Sequence, residues 1–321
     1  MPFINKFGGA APSRGADDSD RLVVVGGRDA DTDTMEYITI STTGDVTDFG
    51  NLTTTMRFTR GCSDGARGVI GAGQAGYPGG STVNTIEYIT MATTGNATDF
   101  GDETVTSYDR SMGASATRGV FGPGVHAGTQ LVIDYITIAT TGNATDFGDP
   151  TVEHSSVGAL ASATRTVMAG GSSAHGGSFP GAAATIEYVT TDTTGNGTDF
   201  GDLTVARLLH NGGCGGTSRG LWHHGNAATT GDKTNVIEYI TIASTGNGTD
   251  FGDTTVALYN GNGGANATRG ITSAGGNAHP AGRSNVIDYV TIASTGNATD
   301  FGNLSAVKQD AGACSWQLGV L

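Results

Sequence analysis

Apolar residues fall along this chain in short runs rather than helical stripes, and one run recurs six times. Its form is apolar residue, acid, tyrosine, apolar residue, threonine and usually another apolar residue, as in Ile133-Asp134-Tyr135-Ile136-Thr137-Ile138. The six tyrosines are Tyr37, Tyr88, Tyr135, Tyr188, Tyr239 and Tyr289, separated by 51, 47, 53, 51 and 50 residues. A fixed period near this length marks a repeat architecture. Each unit predicts four strands. The first is a run of tiny residues, such as Gly61-Cys62-Ser63 or Gly158-Ala159-Leu160-Ala161. The second is an apolar run led by Arg21, Arg67, Arg118, Arg165, Arg219 or Arg269. The third carries the tyrosine, and the fourth runs through Thr-Asp-Phe-Gly. Apolar positions on both faces of Ile86–Met91 predict a strand packed between neighbours on each side. Thr-Gly-Asn, between the third and fourth strands, predicts a tight hairpin with Gly and Asn at φ > 0.

Four antiparallel strands per unit of about 50 residues predict an all-β fold, a six-bladed β-propeller of the kelch size class. Tiny side chains suit first strands that crowd round a central axis. Ala311–Trp316 reads as a first strand without a second, and Arg21–Gly27 as a second without a first. The N- and C-terminal strands are therefore expected to pair and close the ring, which protects its edges. Residues 1–20 read as an N-terminal arm and linker, and 21–321 as the propeller. The arginine-to-tyrosine distances are 16, 21, 17, 23, 20 and 20 residues, so nearly all length variation falls between the second and third strands. Those loops are expected to gather on one rim, where function commonly resides.

Composition narrows the function classes. The net charge of −14 disfavours nucleic acid and anionic membrane surfaces as partners. No apolar run reaches transmembrane length, and the N-terminus lacks a signal-peptide core. Glycine, at 54 residues, shows no collagen period. Three cysteines, Cys62, Cys214 and Cys314, argue against a disulfide framework, and all three are expected to be free.

Five of the seven histidines, His126, His175, His223, His224 and His279, lie in the variable loops, with Tyr77 and Phe179. Together they form a candidate binding rim. They show no metal-ligand spacing, so these histidines read as solvated loop residues, and no cofactor is expected. The acids before the tyrosines (Glu36, Glu87, Asp134, Glu187, Glu238, Asp288) are expected to pair with the repeated arginines on adjacent strands. Asp48, Asp99, Asp146, Asp199, Asp250 and Asp300 read as turn caps, and the phenylalanines that follow them as core between blades. The Asn-x-Thr triplets from Asn96 to Asn297 read as turn chemistry. Zincin and P-loop motifs are absent.

The glycine-ended second strand followed by a tyrosine strand resembles kelch repeats. The fuller phrase from Ile287 to Gly302, Ile-Asp-Tyr-Val-Thr-Ile-Ala-Ser-Thr-Gly-Asn-Ala-Thr-Asp-Phe-Gly, is similar to repeats in proteins of marine tailed phages, particularly cyanophages. The resemblance covers about 300 residues and implies a virion component such as a tail, fibre or capsid-surface protein. The corresponding expectation is a non-enzymatic structural protein made in the host cytoplasm. Its apolar Met1, Pro2, Phe3, Ile4 and Phe7 would dock on other virion proteins, and its rim would touch a host-surface glycan or receptor. A soluble glycan- or receptor-binding adhesin, and an enzyme with an asymmetric site on the axis, are the other two readings.

Overall fold

A computed structural model describes residues 20–28, 33–71, 73–76, 80–125, 132–173, 181–210, 212–227, 232–278 and 282–316, to which every count below refers. The chain is all-β and built of many small antiparallel sheets. Six of these, numbered 1 to 6 in the order of their tyrosines, each contain the four expected strands. Sheet 2 has the order Gly61–Ser63, Arg67–Ile70, Thr85–Thr90, Thr98–Asp102. Sheet 1 takes its first strand from the far end of the chain: Gly312–Ser315 pairs with Arg21–Val25, with Val23 opposite Cys314. Two shorter sheets, not foreseen from the pattern, tie neighbouring loops. Met56–Arg57 pairs with Gln74–Ala75, which also pairs Ser81–Thr82, and Arg207–Leu208 pairs with Asn226–Ala227.

The core lies between sheets rather than within one. Six apolar clusters each draw on two successive sheets; Val23, Met35 and Phe49 of sheet 1, for example, meet Ile70, Ile89 and Met91 of sheet 2. The order returns on itself, because Ile271, Ile287 and Phe301 of sheet 6 cluster with Leu22, Ile38 and Ile40 of sheet 1. The six phenylalanines are buried, as expected, and each meets its own sheet's tyrosine edge-on at 5.8–6.0 Å. The first strands contact one another in the same order, sheet 1 touching both sheet 2 and sheet 6. Tiny residues follow from that crowding: a Cβ on Gly61 would lie 2.5 Å from the carbonyl oxygen of Ala313.

A second adjustment between sheets is finer. Each first strand sets one side chain against the residue after the arginine in the next sheet. Cys314 faces Gly68, Cys62 faces Gly119, Leu160 faces Gly220 and Cys214 faces Gly270. Where the second strand carries Thr166 or Leu22, the facing residue is Gly113 or Gly264. One partner is glycine at all six interfaces, as close packing at fixed spacing requires. All three cysteines are free and buried, and they serve as filler over glycine.

The hairpins dock sideways. The N–H of Gly95 donates to the Phe49 carbonyl of the preceding sheet at 2.7 Å, and Gly142, Gly195, Gly246 and Gly296 repeat the bond; Gly44 closes the circuit on Phe301 at 2.9 Å. Here one expectation is corrected. None of the hairpin asparagines has positive φ, which Gly44, Gly142, Gly195, Gly246 and Gly296 have; the asparagine accepts a bond from the neighbouring sheet through its side chain, as Asn96 Oδ1 does from Asn51 N at 3.1 Å. Gly50 shows why this contact admits no other residue: its φ is +142°, and a Cβ there would sit 2.6 Å from the Gly95 carbonyl carbon. The aspartates read as caps (Asp48 and its five equivalents) lie instead in the fourth strand, exposed. Docking by Asn96 and its equivalents, with Asp45 in sheet 1, does that work.

Candidate functional site

Each fourth strand returns to the next first strand through one residue in the left-handed region. These residues are Phe58, Asp109, Ser156, His210, Asn260 and Asp310, with φ between 42° and 60°. Asp, Asn and His tolerate this backbone better than most residues; Phe58 and Ser156 do not share that excuse. The six stand next to one another where the first strands begin. Phe58 N–H donates to the Asp310 carbonyl at 2.8 Å, Asp109 N–H to Phe58 at 3.1 Å, His210 N–H to Ser156 at 3.0 Å and Asp310 N–H to Asn260 at 3.2 Å. The backbone is thus repeated while the chemistry is not, and an asymmetric group of side chains lies here.

Two buried carboxylates organise it. Asp109 accepts from Ser156 Oγ at 2.6 Å, lies 2.9 Å from His210 Nδ1 and pairs with the Arg60 guanidinium. Burial alone would raise its pKa; His210 and Arg60, with bonds from His210 and Ser156, bring it down to about 2. One carboxylate therefore fastens sheets 2 to 5. Asp310 is held by Asn260, by Gln309 Nε2 at 3.3 Å and by Arg28 Nε at 3.3 Å, and fastens sheet 6 to sheet 1. Burial pushes its pKa up, with Asp109 adding to the rise. The Ser156 hydroxyl gives its proton to Asp109 rather than to His210, so no base activates it as a nucleophile.

The repeated acids and arginines do not pair with each other, which corrects the sequence expectation. Each arginine lies over its own sheet's tyrosine at 4.3–4.8 Å. Five of them also donate to a carbonyl of the next sheet, from Arg21 to Met91 at 2.9 Å through Arg269 to Ile40 at 3.0 Å. Each acid instead takes bonds from a Thr or Ser of the preceding sheet, as Glu187 does from Thr151 N at 2.6 Å and Oγ1 at 2.7 Å. Among the described residues cations then reach alternate acids: Lys308 reaches Glu36, Arg110 reaches Asp134 and Arg207 reaches Glu238. In sheets 2, 4 and 6 burial raises the pKa of Glu87, Glu187 and Asp288 against their hydroxyl partners.

Of the residues proposed for the rim, Tyr77, His126, His175, Phe179 and His279 lie outside the described residues, as do Met1, Pro2, Phe3, Ile4 and Phe7 of the arm. His223 and His224 are described, and they are not solvated: each is 2% exposed. His223 ends the second strand of sheet 5, and both Nδ1 atoms face Thr272 of sheet 6, at 2.9 and 3.3 Å. Burial, then the neighbouring His224 and Arg207, lowers His223 well below the usual range, and burial with Arg207 brings His224 down to about 3. Their apolar run, Leu221-Trp222, carries straight into the histidines, a signal that the strand continues. The left-handed position, just before the tiny runs, carries different side chains from unit to unit, a signal it shares with the position that follows it. Among the described residues no three His, Cys, Asp or Glu groups converge as metal ligands. Neither protein-family models nor curated proteins give a match to this chain.

Proposed function

We propose that the six sheets are blades of a kelch-like β-propeller and that it serves as a non-enzymatic structural component of a tailed-phage particle. The observation that carries the architecture is the circuit of like contacts, in which sheet 6 meets sheet 1 as every other sheet meets its successor. Support for a non-enzymatic role comes from the central carboxylates, whose partners are other buried protein groups, with no activated nucleophile beside them. The virion assignment rests on the phrase around Tyr289. Residues 1–20 would tether the propeller to other virion proteins. Averaged electron-microscope images of the purified protein are expected to show a six-lobed disc, and a disc of another order rejects the architecture. Deleting residues 1–19 is expected to leave the fold intact and to abolish incorporation into particles; normal incorporation rejects the tether.

The adhesin reading is favoured by a separate observation. The loop strands Met56–Arg57, Gln74–Ala75 and Ser81–Thr82 give part of the variable end a fixed shape suited to a ligand. Host-cell binding that is lost when the loop around His175 is shortened would support it.

A further inference from the structure

Four residues of each unit are identical in all six copies although their side chains make no contact that holds the fold. They are Thr39, Thr43, Thr47 and Asp48 and their equivalents, for example Thr137, Thr141, Thr145 and Asp146 in sheet 3. All are exposed in every unit, and no hydrogen bond among the described residues engages their side chains. Recent duplication does not explain the identity, because residues that do shape the fold have diverged: the first strands carry Cys, Gly or Leu at one interface position. Nor does stability explain the aspartate. Burial chiefly raises the pKa of Glu87 and Asp288, and Asp99 and Asp300 add to the rise, so in these two sheets the exposed charge gives its neighbour no support. Positions that break local rules in a repeated way mark function.

The threonines share a concavity. In sheet 3, Thr137, Thr141 and Thr145 line a groove of about 170 Å³ together with Tyr135 and Asn143. In sheet 4, Thr190, Thr194 and Thr198 line its counterpart of about 290 Å³ with Tyr188 and Asn196. This end of the sheet is opposite the variable loops. Hydroxyls, an amide and a phenol edge offer donors and acceptors at close spacing, which suits a ligand equally rich in hydroxyls. The net charge of −14 disfavours anionic ligands. Threonine is under-represented among the anchors of protein interfaces, where large aromatic side chains and arginine dominate.

We propose that the six hairpin faces are equivalent carbohydrate sites, each taking one residue of a neutral glycan among the three threonines. Each site is shallow, so binding depends on several sites acting together. The inference is independent of the virion assignment and of residues 1–20. The test is retention of the full chain on immobilised dextran, mannan and galactan, with heparin as the anionic comparison. Retention on at least one neutral polymer is expected, with none on heparin. Replacing Thr47, Thr98, Thr145, Thr198, Thr249 and Thr299 with valine is expected to weaken retention at least about tenfold through lost avidity, with the melting temperature unchanged. Should that variant fail to fold, variants changed in one, two and three units are expected to weaken retention stepwise. No retention of the wild type, preference for heparin, or valine variants that bind as the wild type does would overturn the proposal.

Discussion

Arginine stacks on tyrosine in all six sheets, and the six copies are not equivalent. Arg165 lies 4.3 Å from the centre of the Tyr188 ring and donates to the Ile242 carbonyl at 2.9 Å. Arg118 stacks on Tyr135 at 4.4 Å, but its Nη1 is buried without a partner among the described residues; sheet 4 carries Thr191 at the position where other sheets carry an apolar residue. Lysine cannot stack and donate in this geometry. Arg165→Lys is expected to cost about 1–2 kcal/mol by urea unfolding, and Arg118→Lys less. Equal losses would show that the carbonyl bond contributes nothing. The buried histidines make a prediction in pH. His223 and His224 stay neutral in the fold, whereas the unfolded chain protonates them below about pH 6.5. The unfolded state then binds more protons, so stability falls as pH drops through that value, by up to about 1.4 kcal/mol per unit for each group. Glu87, Glu187 and Asp288 act in the opposite sense: their raised pKa values favour the fold as pH falls through the carboxylate range. The urea midpoint is expected to be lower at pH 5.5 than at pH 7.5, and the difference to shrink in the His223→Asn, His224→Asn double variant. An unchanged difference would assign the pH effect to other groups. Asp109, held at about 2, gives stability that is lost only as pH falls below the ordinary carboxylate range. Asp109→Asn would leave Arg60 without its counter-charge, at a cost of about 3–5 kcal/mol.

Strands were largely legible because their causes are local. Apolar alternation, tiny runs and Thr-Gly turns repeat with the strands they form, and Gly61–Ser63, Arg67–Ile70 and Thr85–Thr90 lie where the pattern puts them. Partnerships were not legible, because a repeated residue can meet its partner in its own unit or in the next. Glu187 and Arg165 are available to each other by composition, yet one turns to Thr151 of sheet 3 and the other to Ile242 of sheet 5. The interface between sheets 4 and 5 tests how strictly the sheets are matched. Leu160 packs over Gly220, and the two occupy one shared volume. Leu160→Ala is expected to cost about 2–5 kcal/mol. Gly220→Leu alone should fold poorly, whereas Leu160→Gly with Gly220→Leu copies the arrangement of Gly264 and Leu22 and should recover most of the loss. A double variant no better than the sum of the singles would mean that the two residues are not coupled.

Across the whole molecule the same bonds recur from sheet to sheet and return to the start, so no sheet is stable through its own core alone. The pairing of Gly312–Ser315 with Arg21–Val25 is the point at which this interdependence can be broken with least change. Truncation after Asp310 would bare the edge of Leu22–Val25 and uncover Gly68, over which Cys314 packs. Lower melting temperature and concentration-dependent association through the open edge are expected by calorimetry and gel filtration; an unchanged monomer would reject the dependence. The glycine match at each interface has a further consequence, for heredity. A gene built of repeats gains and loses copies by recombination, and these interfaces decide which losses survive. Dropping sheet 2 would set Cys314 against Gly119, again a cysteine over a glycine. Dropping sheet 3 would set Cys62 against Thr166, two side chains in a space that holds one. A lineage of such chains can change its copy number at some seams and is locked at others, and the locked seams are those where glycine has changed sides.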